Sequence, residues 1–190
     1  MLKKDVATAV WELEKLRMYV PNVPIKMIES NHVDRYQKTL VSKIPEIVGL
    51  KGHSVPEIFQ YEDFDIEHIP RERPYREGKL LFLHGDEVRI GSVDLARKLY
   101  FKVNENVMAG HYHAQDSYIH TKGGSMKNEG AWINSCLRTP RPDWAPFAHW
   151  TLGFSVVDFS AGGFFHAQQI LYLKRGGKLW TKVDNVEYWS

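Results

Sequence analysis

A chain of 190 residues, of which 43% are hydrophobic, 13% aromatic and 25% charged, is long enough to bury a substantial core and too apolar to be disordered, fibrous or low in complexity. Its formal charge of +2 is close to neutral, with Lys and Arg scattered among acids, so charge gives no indication of nucleic acid and leaves it only as an open partner. Cys136 is the single cysteine, which rules out an internal disulfide and a Cys-rich zinc site and suits a reducing compartment such as the cytoplasm. No apolar run approaches the roughly 18 residues of a membrane span, and Glu12, Glu14 and Lys15 interrupt the place where a signal peptide would be apolar. A single domain over residues 1–190 is expected.

In chain order, Asp5 is the expected N-cap of a helix that runs to about residue 19 and carries Val6, Ala9, Val10, Leu13 and Leu16 at spacings of three and four. Pro21 and Pro24 end it, and Ile25, Lys26, Met27 and Ile28 then read as a short strand whose end delivers Ser30, Asn31 and His32. A second helix is predicted over about residues 34–43, stopped by Pro45. Residues 49–70 are turn-rich and read as irregular, with a strand at 66–69. Residues 79–83 form a strand ending in His84, Gly85 and Asp86. Ser92 and Asp94 begin a helix to about residue 102, with Leu95, Leu99 and Tyr100 inward. Residues 105–109 form a strand that ends in Gly110-His111-Tyr112-His113. Beyond Asp116 the hydrophobic period falls to two, which predicts strands near 118–120, 131–135, 151–159 and 164–173 in a β-meander.

The polar chemistry sits at strand ends. Three apolar strands run into Asn31-His32, into His84, and into His111 and His113, and adjacent strands of an open α/β sheet present their C-terminal loops to one crevice. His53, His68, His120, His149 and His166 lack this context and read as surface or core-edge residues. If the His-x-His pair is extended, its imidazoles share a face, because strand residues two apart point the same way. Imidazole nitrogens with the Asn31 amide oxygen suit a divalent transition ion, Mn, Fe, Zn or Ni, rather than calcium.

The order Asn-His, then a lone His after an apolar strand, then Gly-His-x-His resembles the later motifs of the calcineurin-like metallophosphoesterases, and ESNHVDRY at residues 29–36 is similar to their phage and bacterial branch. The resemblance extends over nearly the whole chain. It implies an α/β (α+β) fold, a two-layer β-sandwich flanked by helices, and hydrolysis of a phosphate-ester substrate by two metal ions. It further implies that Asn31, His84 and His111 bind the second metal, that His113 binds the first, and that His32 assists the leaving group or stabilises the phosphoryl oxygens. Asp34 would orient His32 from one residue beyond the family's acid, and Arg35 is the arginine placed nearest the phosphate, ahead of Arg138 and Arg141.

Departures from the pattern shape the expectation. The family's earlier motifs, Asp-x-His and Gly-Asp-x-x-Asp, have no counterpart, Ser30 replaces a Gly, and Val33 replaces the acid after the histidine. The chain therefore reads as the C-terminal part of such an enzyme, lacking the first strand-helix-strand, with two ions in the complete site and one or none here. A complementing N-terminal fragment or a second copy of the chain would be the partner, in a host cytoplasm if the gene is a phage's. An apolar patch near Val10, Leu13 and Met27 should then be exposed. A catalytically degenerate binding module and a mononuclear metal-binding protein are the alternatives.

Overall fold

The computed structural model describes residues 2–47, 49–89, 94–124, 127–138 and 149–190, apart from the side chains of residues 2, 3, 34–36 and 47. The chain divides into two units, Met1–Arg73 and Pro74–Ser190, and each is mixed α/β.

The first unit opens with α1 (Leu2–Tyr19). It begins before Asp5, which therefore lies in the first turn rather than at the N-cap, where its carboxylate still faces the positive end of the helix. The last turn is fixed by Arg17, whose guanidinium donates to the carbonyls of Val20 (3.0 Å), Val23 (2.9 Å), Phe64 (2.7 Å) and Asp65 (2.8 Å). One planar fork thus satisfies the chain that leaves the helix and the loop that enters the next strand. Strand β1 (Ile25–Ile28) pairs in parallel with β2 (Ile66–Ile69), Ile25 opposite Ile66 and Ile28 opposite Ile69. Between them lie α2 (Asn31–Lys43), a 3₁₀ turn (Pro45–Ile47) and the short α3 (Val55–Ile58). Leu13 is buried with Val55, Tyr61 and Ile66, and Met27 packs against the same cluster. This overturns the expected exposed patch at Leu13 and Met27: α3 and the loop before β2, which the periodicity did not place, cover that face of α1. Trp11, Met18 and Tyr19 are the apolar side chains that α1 exposes most.

The second unit is built on a five-stranded mixed sheet in the order β3-β4-β5-β7-β6, from β3 (Tyr75–Glu77), β4 (Leu80–Leu83), β5 (Val107–Ala109), β6 (Asp116–Lys122) and β7 (Lys127–Ile133). The central three strands are parallel, with Leu81 opposite Val107 and Val107 opposite Ala131. Helix α4 (Leu95–Val103) follows Asp94, which adopts a left-handed conformation (φ 57°) and makes no side-chain cap; the cap comes instead from Asp116, whose carboxylate accepts from the Ala96 amide at 2.9 Å. Ser92, the other expected capping residue, lies outside the described residues. The helix lays Ala96, Leu99 and Tyr100 on Leu81, Val107, Ala109, Ala131 and Ile133, the main core cluster. Strand alternation turns Leu80, Met108 and Trp132 to the opposite face. There Trp132 meets Phe165 edge-on, with ring centroids 5.3 Å apart. Phe165 belongs to the antiparallel pair β8 (Gly153–Phe159) and β9 (Phe165–Leu171), which is fastened further by the Gln169 amide donating to the Ile133 carbonyl at 2.7 Å. The chain ends in a three-stranded meander of β10 (Leu173–Arg175), β11 (Lys178–Val183) and β12 (Val186–Trp189).

Candidate functional site

Strands β4 and β5 are parallel neighbours, so the residues that leave their C-terminal ends meet. The Gly110 amide donates to the His84 carbonyl at 3.0 Å, which extends the ladder one step past both strands. Gly85 then turns the chain with φ +118°, and a Cβ there would lie 2.7 Å from the Gly110 oxygen and 3.2 Å from the Ala109 Cβ. Only glycine fits that approach. Tyr112, buried at 6% exposure, anchors the other side: its hydroxyl donates to the Val88 carbonyl (2.9 Å) and accepts from the Val88 amide (3.2 Å). Burial pushes that phenol up to about 12, so it stays protonated and able to donate over the ordinary pH range.

With both loops held, His111 Nδ1 and His84 Nε2 stand 3.1 Å apart, with ring centroids 4.8 Å apart in an edge-on arrangement. Two neutral imidazoles at this distance share a hydrogen bond, one ring supplying N–H and the other a lone pair. The same separation also fits two ligands of one ion. Nitrogens at about 2.1 Å from a shared ion and 3.1 Å from each other subtend roughly 95°, between the octahedral and tetrahedral angles.

His113 is placed differently. His111 (φ 67°) and His113 (φ 58°) are both left-handed, so the motif is a tight bend and not an extended segment, and the expectation that the two imidazoles share a strand face does not hold. The reason is Tyr112: sinking its ring into the core reverses the chain on either side of it. The His113 ring lies 4.5 Å from Trp150, centroid to centroid, and its carbonyl accepts from the Thr151 amide at 2.8 Å. Thr151 Oγ1 in turn accepts from the Gln115 amide (2.7 Å) and pairs with the Ser135 hydroxyl (2.9 Å), while the Ser155 hydroxyl donates to Asn134 Oδ1 (2.6 Å). Asn134, Ser135 and Thr151 thus tie the end of β7 to the approach to β8. The motif reading missed them; the signal was the polar pair closing the apolar run at 131–133.

In the first unit, Ser30 is the N-cap of α2, its hydroxyl accepting from the Val33 amide at 3.4 Å. Asn31 and His32 therefore form the first turn of the helix, which starts three residues earlier than predicted, and the histidine is exposed. Asp34 and Arg35 belong to the same helix, with side chains outside the description. Arg138 is exposed, and Arg141 lies outside the described residues. Just before the cap, Glu29 is 7% exposed and its Oε2 meets His68 Nε2 at 3.0 Å. The Tyr61 ring lies 5.8 Å from His68, and its hydroxyl is pushed up to about 12, first by burial and then by the Glu29 charge. His68 is thus a core partner of a buried acid, a role that its position in an alternating strand did not reveal.

Asn31 and His32 lie in one unit and His84, His111 and His113 in the other. Among the described residues no group of three or more His, Cys, Asp or Glu side chains gathers to hold a metal ion. His84 and His111 bring two ring nitrogens together and, by themselves, fall short of a complete donor set for an ion. A cavity of about 390 Å³ in the first unit, floored by Leu40, Val41 and Leu50, contains none of the candidate residues.

No protein-family model and no curated protein matches the chain.

Proposed function

We propose that the chain is a metal-dependent phosphoesterase of the calcineurin-like kind, in which His84 and His111 hold a divalent ion between them. The observation that carries this reading is the 3.1 Å approach of their ring nitrogens at the ends of two adjacent parallel strands. The placement of β8 and β9 on one face of the central sheet and α4 on the other supports the two-layer sandwich of that family. His113 would serve a second ion. Acidic ligands of the Asp-x-His and Gly-Asp-x-x-Asp kind do not occur in the sequence and would have to be supplied by another polypeptide. When bound, Mn, Fe, Zn or Ni polarises a phosphoryl oxygen and neutralises its charge.

The anchors Gly85 and Tyr112 keep the two imidazoles in register, so that little ordering remains to be done on binding.

Calorimetric titration with Zn²⁺ and Mn²⁺ tests the clamp. Wild-type chain should bind, and His84→Ala and His111→Ala should each lose about 10-fold or more in affinity. Equal binding by wild type and both variants would refute the assignment. Absence of binding, with the imidazole proton resonances showing a metal-independent hydrogen bond, would favour the degenerate module. On an aryl phosphate with Mn²⁺ the chain alone should hydrolyse little, and the chain fused to the two missing motifs should be active; vigorous turnover by the chain alone would remove the need for complementation.

A further inference from the structure

The C-terminal meander carries a feature unrelated to the histidine clamp. Two two-residue turns make it: Gly176-Gly177 (φ 57° and 82°) between Arg175 and its partner Lys178, and Asp184-Asn185 (φ 47° and 64°) between Val183 and its partner Val186. Positive φ at both central residues is what type I′ hairpin turns require, and such turns match the twist of the strands they join. The register is therefore fixed, and so is the identity of each face.

On one face stand Lys174, Leu179, Thr181, Val183, Val186 and Tyr188, of which Lys174, Val186 and Tyr188 at its margins are exposed. Thr181 is 2% exposed, and its hydroxyl donates to the Leu171 carbonyl at 2.8 Å, so the centre of this face turns toward β9. The other face collects Leu173, Arg175, Lys178, Trp180, Lys182, Glu187 and Trp189. The pairs Leu173 with Trp180, Trp180 with Trp189, Arg175 with Lys178, and Lys182 with Glu187 are directly opposite in register. Trp180 and Trp189 lie 6.2 Å apart, centroid to centroid, with 52° between their planes, and the Arg175 guanidinium lies 6.0 Å from the Trp189 ring. Trp189 is 49% exposed and Arg175, Lys178 and Lys182 are exposed, while Trp180 is half-buried with its indole nitrogen away from solvent. Three cations against one carboxylate leave this small face with an excess of positive charge, although the chain as a whole is nearly neutral.

We infer that this face of β10, β11 and β12 is a binding surface for single-stranded nucleic acid. The exposed Trp189 indole, backed by the half-buried Trp180 on the antiparallel ribbon, gives bases a stacking platform that tolerates any sequence, because every base has a π face. Arg175, Lys178 and Lys182 border the rings at strand spacing and meet the phosphates between stacked bases. Charge selects this occupant over a neutral sugar, which would stack on the same indoles without needing three cations. The surface lies within the second unit and does not depend on the phosphoesterase reading.

Fluorescence anisotropy of a labelled oligothymidylate of about 15 nucleotides, a length at the upper end of what such surfaces occupy, tests the surface with the full chain. Wild type should bind at about 50 mM salt and weaken steeply toward about 200 mM. Trp189→Ala should weaken binding roughly tenfold without changing the salt slope, since one base stack is lost, and Trp189→Phe should restore most of it. Lys178→Ala with Lys182→Ala should flatten the slope by roughly 1.4, about 0.7 for each phosphate contact removed on a single strand. Circular dichroism confirms that each variant is folded, and the salt slope of the Lys178→Ala, Lys182→Ala chain carries the test if Trp189→Ala unfolds. No binding at low salt overturns the inference. So does polyphosphate binding as tightly as the oligonucleotide with no loss in Trp189→Ala, which would mean charge alone. Quenching of the indoles by an uncharged oligosaccharide but not by the oligonucleotide would assign the face to sugars instead.

Discussion

Replacing Gly85 by Ala tests whether the histidine clamp is held by the backbone crossing beneath it. Two costs can be worked from the structure. At φ +118° an L-residue occupies a region nearly reserved for glycine, which costs about 1–3 kcal/mol. The new methyl would also stand 2.7 Å from the Gly110 oxygen, so backbone must move. That oxygen accepts from the Tyr112 amide at 2.8 Å, and the Gly110 amide donates to the His84 carbonyl at 3.0 Å; weakening the two together costs about 1 kcal/mol. The total is about 2–4 kcal/mol. Gly177→Ala is the control, because its φ is +82° but nothing lies within 4 Å of the added carbon, so it carries strain without collision. Urea unfolding followed by tryptophan fluorescence should show Gly85→Ala to be the more destabilised by at least about 1 kcal/mol, and its Zn²⁺ affinity should fall as the rings of His84 and His111 are pushed apart. Equal losses in the two variants, or full Zn²⁺ affinity in Gly85→Ala, would refute the reasoning.

Leu99→Ala, at a fully buried position between α4 and the sheet, should cost about 2–5 kcal/mol in the same assay, and a loss under about 1 kcal/mol would show that the main core cluster is misplaced. Tyr100→Phe removes a hydroxyl that donates to Glu129 Oε2 at 3.1 Å and should cost about 1–2 kcal/mol. Glu129 is held below the ordinary carboxylate range first by Lys122 and then by Tyr100, so its carboxyl should titrate higher in Tyr100→Phe, as read by NMR. Glu57 is lowered to about 2 chiefly by the Ser54 hydroxyl, with the backbone amides of Gly52 and Ser54 adding to it. A depressed carboxyl stabilises the fold above its unfolded value of about 4.3 and loses that contribution as pH falls toward 2, so the α3 capping box should open in that window. Ser54→Ala should move the Glu57 midpoint up toward 4, and an unchanged midpoint would show that the hydroxyl is not the cause.

Local chemistry in the sequence was enough to place most elements. Prolines at 21 and 24 bound the first helix, the apolar runs at Ile25–Ile28 and Ile66–Ile69 are strands as their composition predicts, and period-two alternation marked β6 to β9. The meander of β10, β11 and β12 went unread although Gly176-Gly177 and Asp184-Asn185 were visible as hairpin signals, because the short strands LKR, KLWTKV and VEYW mix charged and apolar residues and offer little apolar contrast. At the candidate site the sequence determined which groups were available, histidines after three apolar strands, but not how they would be aimed. Aim was decided in three dimensions. The parallel pairing of β4 with β5 brings His84 to His111, the burial of Tyr112 bends His-x-His out of the extended form that two-residue spacing suggests, and Ser30 capping α2 turns Asn31 and His32 from a loop into a helical turn. The Glu29 and His68 pair was hidden for the same reason. The contact joins residues distant in the chain and exists because β1 and β2 run side by side, which no local pattern encodes.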